Sequence, residues 1–227
     1  MKEAMKNGIK LYRKGSYADA LIQFLEHPAG EVSTNLELAY FIGLCYARLE
    51  RYEDALVYLE QVVTADTDLA RVYQCRILLA LVYSLTGRTR LASFELQKTI
   101  EAGYESPQVY CSLGYVAYEN GSSEEAITWY EKALSLDESN ATALNGLGFV
   151  LADTGADYTR ALTMCKKALD ADPDNHAYLD SVGWVYHKLG FEQESLTFTQ
   201  RALKKSPNNL IIQKHLKEIQ SVGGFNT

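Results

Sequence analysis

Tyr110-Cys111-Ser112-Leu113-Gly114-Tyr115-Val116-Ala117, followed by Ala126, Tyr130 and Ala133, is the stretch that decides how this chain folds. Its apolar and small residues fall three and four apart, which places their side chains on one face of an α-helix. Gly121 separates the two runs. Two such runs joined by a glycine turn make an antiparallel helical hairpin. The small residues let the two backbones approach closely, and larger side chains there would overpack the contact.

The pattern recurs along the chain with a period near 34. One small column reads Gly8, Gly43, Ala80, Gly114, Gly148 and Gly183, and a second, twelve or thirteen residues later, reads Ala20, Ala55, Ala92, Ala126, Ala161 and Ser195. Four residues after the second column come Phe24, Leu59, Leu96, Tyr130, Cys165 and Thr199. A turn column carries Gly15, Gly87, Gly121, Gly155 and Gly190, with Glu50 as its one departure. A fixed period of this kind marks a stacked repeat architecture, in which each unit buries its apolar face against its neighbours.

These residues resemble the tetratricopeptide repeat (TPR) family. The match is closest at Tyr110 to Ala133 and at Leu179-x-x-Val182-Gly183-x-x-Tyr186, which ends in Ala202 and Pro207. Asp172-Pro173-Asp174-Asn175 is the turn between repeats that the family favours. The resemblance implies an all-α, right-handed superhelical solenoid of about six helical hairpins plus a C-terminal capping helix. The repeats are expected at 1–35, 36–72, 73–106, 107–140, 141–175 and 176–209, a cap at 210–222 and a frayed tail at 223–227. In the first repeat Pro28 is expected to cut the second helix short, and Ala29 to Asn35 reads as a loop. In the cap, Ile211, Ile212, His215, Leu216 and Ile219 fall at helical spacing and are expected to face inward. No matching cap precedes the first helix, which presents Met1, Met5 and Ile9.

Composition narrows the class. The chain has 227 residues, 47% of them hydrophobic and 22% charged, values of a folded domain rather than a disordered one. The net charge of −7 argues against nucleic acid as a main partner, because phosphate binding needs clustered Lys and Arg. Cys45, Cys75, Cys111 and Cys165 lie far apart and give no zinc-ligand spacing. They suit a reducing compartment. The N-terminal residues show no leader pattern and no run approaches a membrane span. A cytoplasmic, bacterial protein is the expectation, or a periplasmic or anchored one had a leader been removed.

In the TPR family the first helix of each hairpin lines the concave face. That resemblance implies a partner-binding groove made of Tyr12, Tyr40, Leu44, Arg48, Tyr115, Tyr118, Asn145, Phe149, Trp184, His187 and Lys188. Arg13, Ile77, Leu81, Leu85, Cys111, Glu119, Asp153 and Asp180 belong to the same positions. The row is aromatic and apolar with scattered charge, a composition suited to an extended or helical peptide. The alternative is that the aromatics pack between repeats. The basic residues that grip chaperone carboxylates elsewhere in the family have no counterpart at Met5, Ile9, Tyr40 and Gln74.

No phosphate-binding loop, zinc-protease motif or nucleophile elbow occurs. Asp180 and His187, seven apart with Asp153 on the neighbouring helix, form the nearest thing to a metal or base constellation. A solvated polar groove explains them equally well. His27, His176 and His215 read as surface residues, and Trp129 as covering the convex side. The sequence thus points to a non-catalytic scaffold that needs no cofactor and holds a protein or peptide ligand. The competing expectations are a self-associating structural protein, forming a homo-oligomer through its uncapped N-terminal helix, and a regulatory module of a larger system.

Overall fold

The computed structural model describes residues 2–27 and 32–222, and among them every regular element is helical. The chain divides into two compact units, Met1–Glu105 and Ser106–Thr227. The first holds α1 (Lys2–Arg13), α2 (Tyr17–Leu25), α3 (Val32–Arg48), α4 (Tyr52–Ala65), α5 (Leu69–Leu85) and α6 (Thr89–Glu101). Each odd-numbered helix packs against the even one that follows, and α1, α3 and α5 lie side by side. The second unit repeats the plan with α7 (Pro107–Glu119), α8 (Ser123–Leu136), α9 (Ala141–Thr154), α10 (Tyr158–Ala171), α11 (His176–Lys188) and α12 (Glu192–Lys205). There α7, α9 and α11 form the layer of first helices. A last helix, α13 (Leu210–Val222), rests on α12 and α11. This is an all-α helical repeat fold.

The hairpins close by one repeated device. A backbone N–H two or three residues past the helix end donates to a carbonyl in its last turn: Ser16 to Leu11, Arg51 to Tyr46, Arg88 to Tyr83, Ser122 to Ala117, Ala156 to Leu151 and Phe191 to Tyr186, at 2.7–3.0 Å. That closure needs a left-handed residue just before it. Gly15, Gly87, Gly121, Gly155 and Gly190 supply it with φ between 72° and 80°, and Glu50 adopts φ 58° at the same place. Entry into the next hairpin is fixed by side-chain caps. Asp68, Ser106, Asn140, Asn175 and Asn209 accept from the first free N–H groups of α5, α7, α9, α11 and α13.

Close packing explains the small columns. A Cβ on Gly43 would sit 2.8 Å from Leu59 Cδ2, and one on Gly114 would sit 2.9 Å from the Tyr130 ring. One on Gly148 would meet Cys165 Sγ at 2.6 Å and the Ala161 carbonyl at 2.9 Å. Each second helix therefore lays the residue four past its own small position into the notch of the first. The buried side chains Phe24, Leu59, Leu96, Tyr130 and Cys165 are those residues. Burying a side chain of the size of Leu or Phe contributes about 1.5–3 kcal/mol.

Several expectations need correction. Val32 to Asn35 are helical, because α3 starts at Val32, and the rest of the expected loop lies outside the described residues. The second helix of the first hairpin stops at Leu25, before Pro28, which also lies outside them. The boundaries drawn at 35/36 and 72/73 fall inside α3 and α5. Asp68, whose carboxylate accepts from Ala70 and Arg71 N–H, starts α5 four residues earlier than the 34-residue spacing suggests. In α13 Ile212 and Ile219 are buried but Ile211 is exposed, since it falls about 100° round the helix from Ile212. His27 and His215 are buried rather than on the surface, His215 as its inward register in the cap implies. Trp129 is half-buried, stacked 5.7 Å from the Tyr110 ring with Lys132 above it. The positions 223–227, expected to fray, lie outside the described residues.

Candidate partner interface

In the second unit the expected groove residues are drawn into one network. Asp153, near the end of α9, accepts a hydrogen bond from the Tyr118 hydroxyl of α7 at 2.7 Å and another from Trp184 Nε1 of α11 at 3.1 Å. Lys188 Nζ lies 3.9 Å from the same carboxylate and 4.4 Å from the Trp184 ring centroid. Tyr118 meets Phe149 edge to face at 5.7 Å. Burial, and then the bond to Asp153, push the Tyr118 hydroxyl well above its ordinary range.

The network is roofed by α13. His215 stacks on Trp184 with ring centroids 4.2 Å apart and lies 6.0 Å from Phe149. Its Nδ1 is 2.8 Å from Asp180 Oδ2. Trp184 is consequently only 4% exposed, so the expectation that it lines an open groove is wrong. His187 has Glu192 as its partner, with Nδ1 3.4 Å from that carboxylate. The triad of Asp180, His187 and Asp153 is therefore not assembled, each member having a different partner. Among the described residues no cluster of His, Cys, Asp or Glu could hold a metal ion.

Tyr115 is 45% exposed, while Asn145 is half-buried. Cys111 is buried rather than in an open groove, 3.8 Å from Asn140 Oδ1, and burial pushes its thiol up to about 12. That is the condition of an inert cysteine rather than a nucleophile.

The first unit presents a different surface. Tyr40 of α3 donates to Gln74 of α5 at 2.6 Å. Tyr12, Tyr17 and Phe41 form an aromatic group, with centroids 5.3 Å apart for Tyr12–Tyr17 and 6.3 Å for Tyr12–Phe41. Arg48 stands exposed above Tyr17, its guanidinium 6.0 Å from the ring centroid. Beyond these, Leu44 is half-buried, and Leu81 and Leu85 are 52% and 56% exposed. They sit four apart, on one face of α5.

Two segments of the chain match family models: residues 36–69 match "Tetratricopeptide repeat" and residues 114–155 match "TPR repeat". This is a TPR-repeat protein. No curated protein sequence matches it. Among solved structures it is similar to a tetratricopeptide repeat protein from Parabacteroides merdae, with a TM-score of 0.76 at 15% identity, covering 96% of this chain and 83% of that one. It is similar too to YrrB, described as a TPR protein with an unusual peptide-binding site, with a TM-score of 0.56 at 20% identity, covering 84% of this chain and all of that one. The Cut9–Hcn1 structure aligns with a TM-score of 0.75 at 18% identity, covering 95% of this chain and 42% of that one. Likeness at these identities carries the fold alone.

The TPR pattern also carries a pairing that the groove positions alone did not, that of His215 with Asp180. Asp180 and His215 are 35 positions apart, as are Tyr118 and Asp153, and Tyr40 and Gln74 are 34 apart. Each pair lies one TPR period apart, joining successive first helices or, for Asp180 and His215, the last first helix and the cap. Counting one period on from Asp180 would have found His215. TPR proteins generally bind other proteins, and no described helix of this one is long and apolar enough to cross a membrane.

Proposed function

We propose that this TPR protein is a non-catalytic interaction module whose first unit holds a peptide or helix of a partner protein on the layer formed by α1, α3 and α5. The observation that carries the reading is the pair Leu81 and Leu85, more than half exposed on one face of α5. Leu44 holds on α3 the place that Leu81 holds on α5, each one residue past its small-column residue, Gly43 and Ala80. Two exposed leucines on α5 beside a half-buried leucine at the matching place on α3 suit an apolar ligand surface, the kind that helix-in-groove recognition uses. In the second unit the equivalent places hold Tyr115, Phe149 and Trp184, and His215 of α13 covers the last two, leaving Tyr115 alone among them exposed. The peptide-binding site named for YrrB, a protein of similar fold, is in keeping with this reading.

The test is a Leu81→Glu, Leu85→Glu double variant beside wild type. Both positions are exposed, so circular dichroism and the urea midpoint should be unchanged. A partner or selected peptide that binds wild type and is lost by the variant supports the reading. Equal binding by both moves the site off this face.

A further inference from the structure

We infer that the ligand of this face is acidic, a segment combining aliphatic side chains with carboxylates, an assignment that rests on the docking face proposed above. The argument comes from helical register. Gly8, Gly43 and Ala80 mark the same place in α1, α3 and α5. One residue on stand Ile9, Leu44 and Leu81, and five residues on stand Arg13, Arg48 and Leu85. Residues four apart share a helix face. An aliphatic row is therefore followed, along the same face, by a row of two arginines and a leucine.

Arg13 and Arg48 are exposed, and among the described residues neither has a carboxylate within ion-pair distance. Most other arginines of the unit do: Arg51 pairs with Asp54, Arg71 with Asp66 and Asp68, Arg76 with Glu95, and Arg88 with Glu53. Arg48 is instead set by aromatics, the Tyr12 hydroxyl beside it and the Tyr17 ring below. A guanidinium laid on an aromatic keeps its outward N–H groups free for a planar acceptor. Lys6, Lys10 and Lys14 on or just past α1 are exposed as well. This concentration of cations runs against a chain of net charge −7. Local positive potential inside an acidic molecule selects for negative partners and repels basic ones.

The experiment is selection of a random linear peptide library against the full chain at low salt, in parallel on wild type, on Arg13→Glu, Arg48→Glu and on Leu81→Glu, Leu85→Glu. Circular dichroism of each confirms that it is folded. The expected wild-type pool is rich in Leu, Ile or Val together with Asp and Glu. The arginine variant should turn the charge preference toward Lys and Arg, and bind the best acidic peptide about tenfold more weakly. An apolar pool indifferent to charge, or an acidic pool unmoved by the arginine variant, overturns this inference and leaves the docking face standing. A pool that the leucine variant retains, or no enrichment at all, overturns the docking face and this inference with it.

Discussion

His215 of α13 lies nearly parallel to Trp184 of α11, ring centroids 4.2 Å apart and planes at 21°, while its Nδ1 reaches the buried carboxylate of Asp180 at 2.8 Å. One side chain thus covers an indole and partners a carboxylate on the same helix. Helix α13 is held by a polar contact as well as by the apolar cluster of Leu179, Ala202 and Ile212.

Replacing His215 by Ala leaves Asp180 buried without that partner. Removing one member of a buried hydrogen-bonded pair costs about 1–3 kcal/mol, more when the survivor is charged. Urea unfolding followed by tryptophan fluorescence should show a lower midpoint, and Trp184 should become accessible to a soluble quencher. An unchanged midpoint and unchanged quenching would remove α13 from this role.

Gly148 and Gly43 hold the same column but should differ in their tolerance of a methyl group. At Gly148 the added carbon would press on the Ala161 backbone carbonyl at 2.9 Å as well as on Cys165 Sγ at 2.6 Å, and backbone cannot swing aside. At Gly43 the nearest atoms belong to the Leu59 side chain, which can. Gly148→Ala should therefore destabilise by about 1–3 kcal/mol, and Gly43→Ala by less. Gly148→Leu should loosen its hairpin outright. Thermal melts of the three variants decide it, and equal melting would undo the packing account.

Glu50 carries φ 58° where the other hairpins have glycine. Left-handed backbone costs an L-residue roughly 1–2 kcal/mol, and glycine gives back part of that through its freer unfolded state. Glu50→Gly should raise the urea midpoint by up to about 1 kcal/mol in stability. Gly121→Ala, at φ 78° with no atom near the new carbon, should lower it. Opposite signs are expected, and the same sign in both would show that the turn does not set this energy.

Burial pushes the thiols of Cys45, Cys75, Cys111 and Cys165 up to about 12. An unfolded thiol titrates near ~8.5. The folded state therefore holds protons that the unfolded state releases, so stability is intact below about 8.5 and falls as pH rises toward the folded value. Tyr83, Tyr118 and Tyr130, raised first by burial, act in the same sense at higher pH. Urea midpoints across the alkaline range should decline, and Cys165→Ala should make the decline shallower. A thiol reagent should leave the native protein largely unmodified and label all four cysteines in denaturant.

The sequence carried the fold because each repeated column corresponds to a contact. The glycines at the turns are the left-handed residues, and the residues four past Ala55, Ala126 and Ala161 are those that fill the notches at Gly43, Gly114 and Gly148. Glu50 shows that the turn column reports a backbone conformation, which a non-glycine residue adopts when the rest of the hairpin demands it. The interface was harder to see. Trp184 occupies a ligand position by register, but register on one helix does not reveal that α13 places His215 over it. Leu81 has the same register and stays exposed. The difference lies in tertiary neighbours, which periodicity does not encode.

Asp153 has a mechanical meaning. One carboxylate accepts from Tyr118 on α7 and from Trp184 on α11, the helices on either side of α9 in the layer. Sliding α7 or α11 along α9 must stretch one of these bonds, and bending the layer open must stretch both. The carboxylate thus acts as a rivet through three helices, setting a stiffness that packing of apolar surfaces, which can glide, does not supply. Asp153→Asn would keep its shape while trading one acceptor for a donor, and should turn a rigid segment of the second unit into a compliant one.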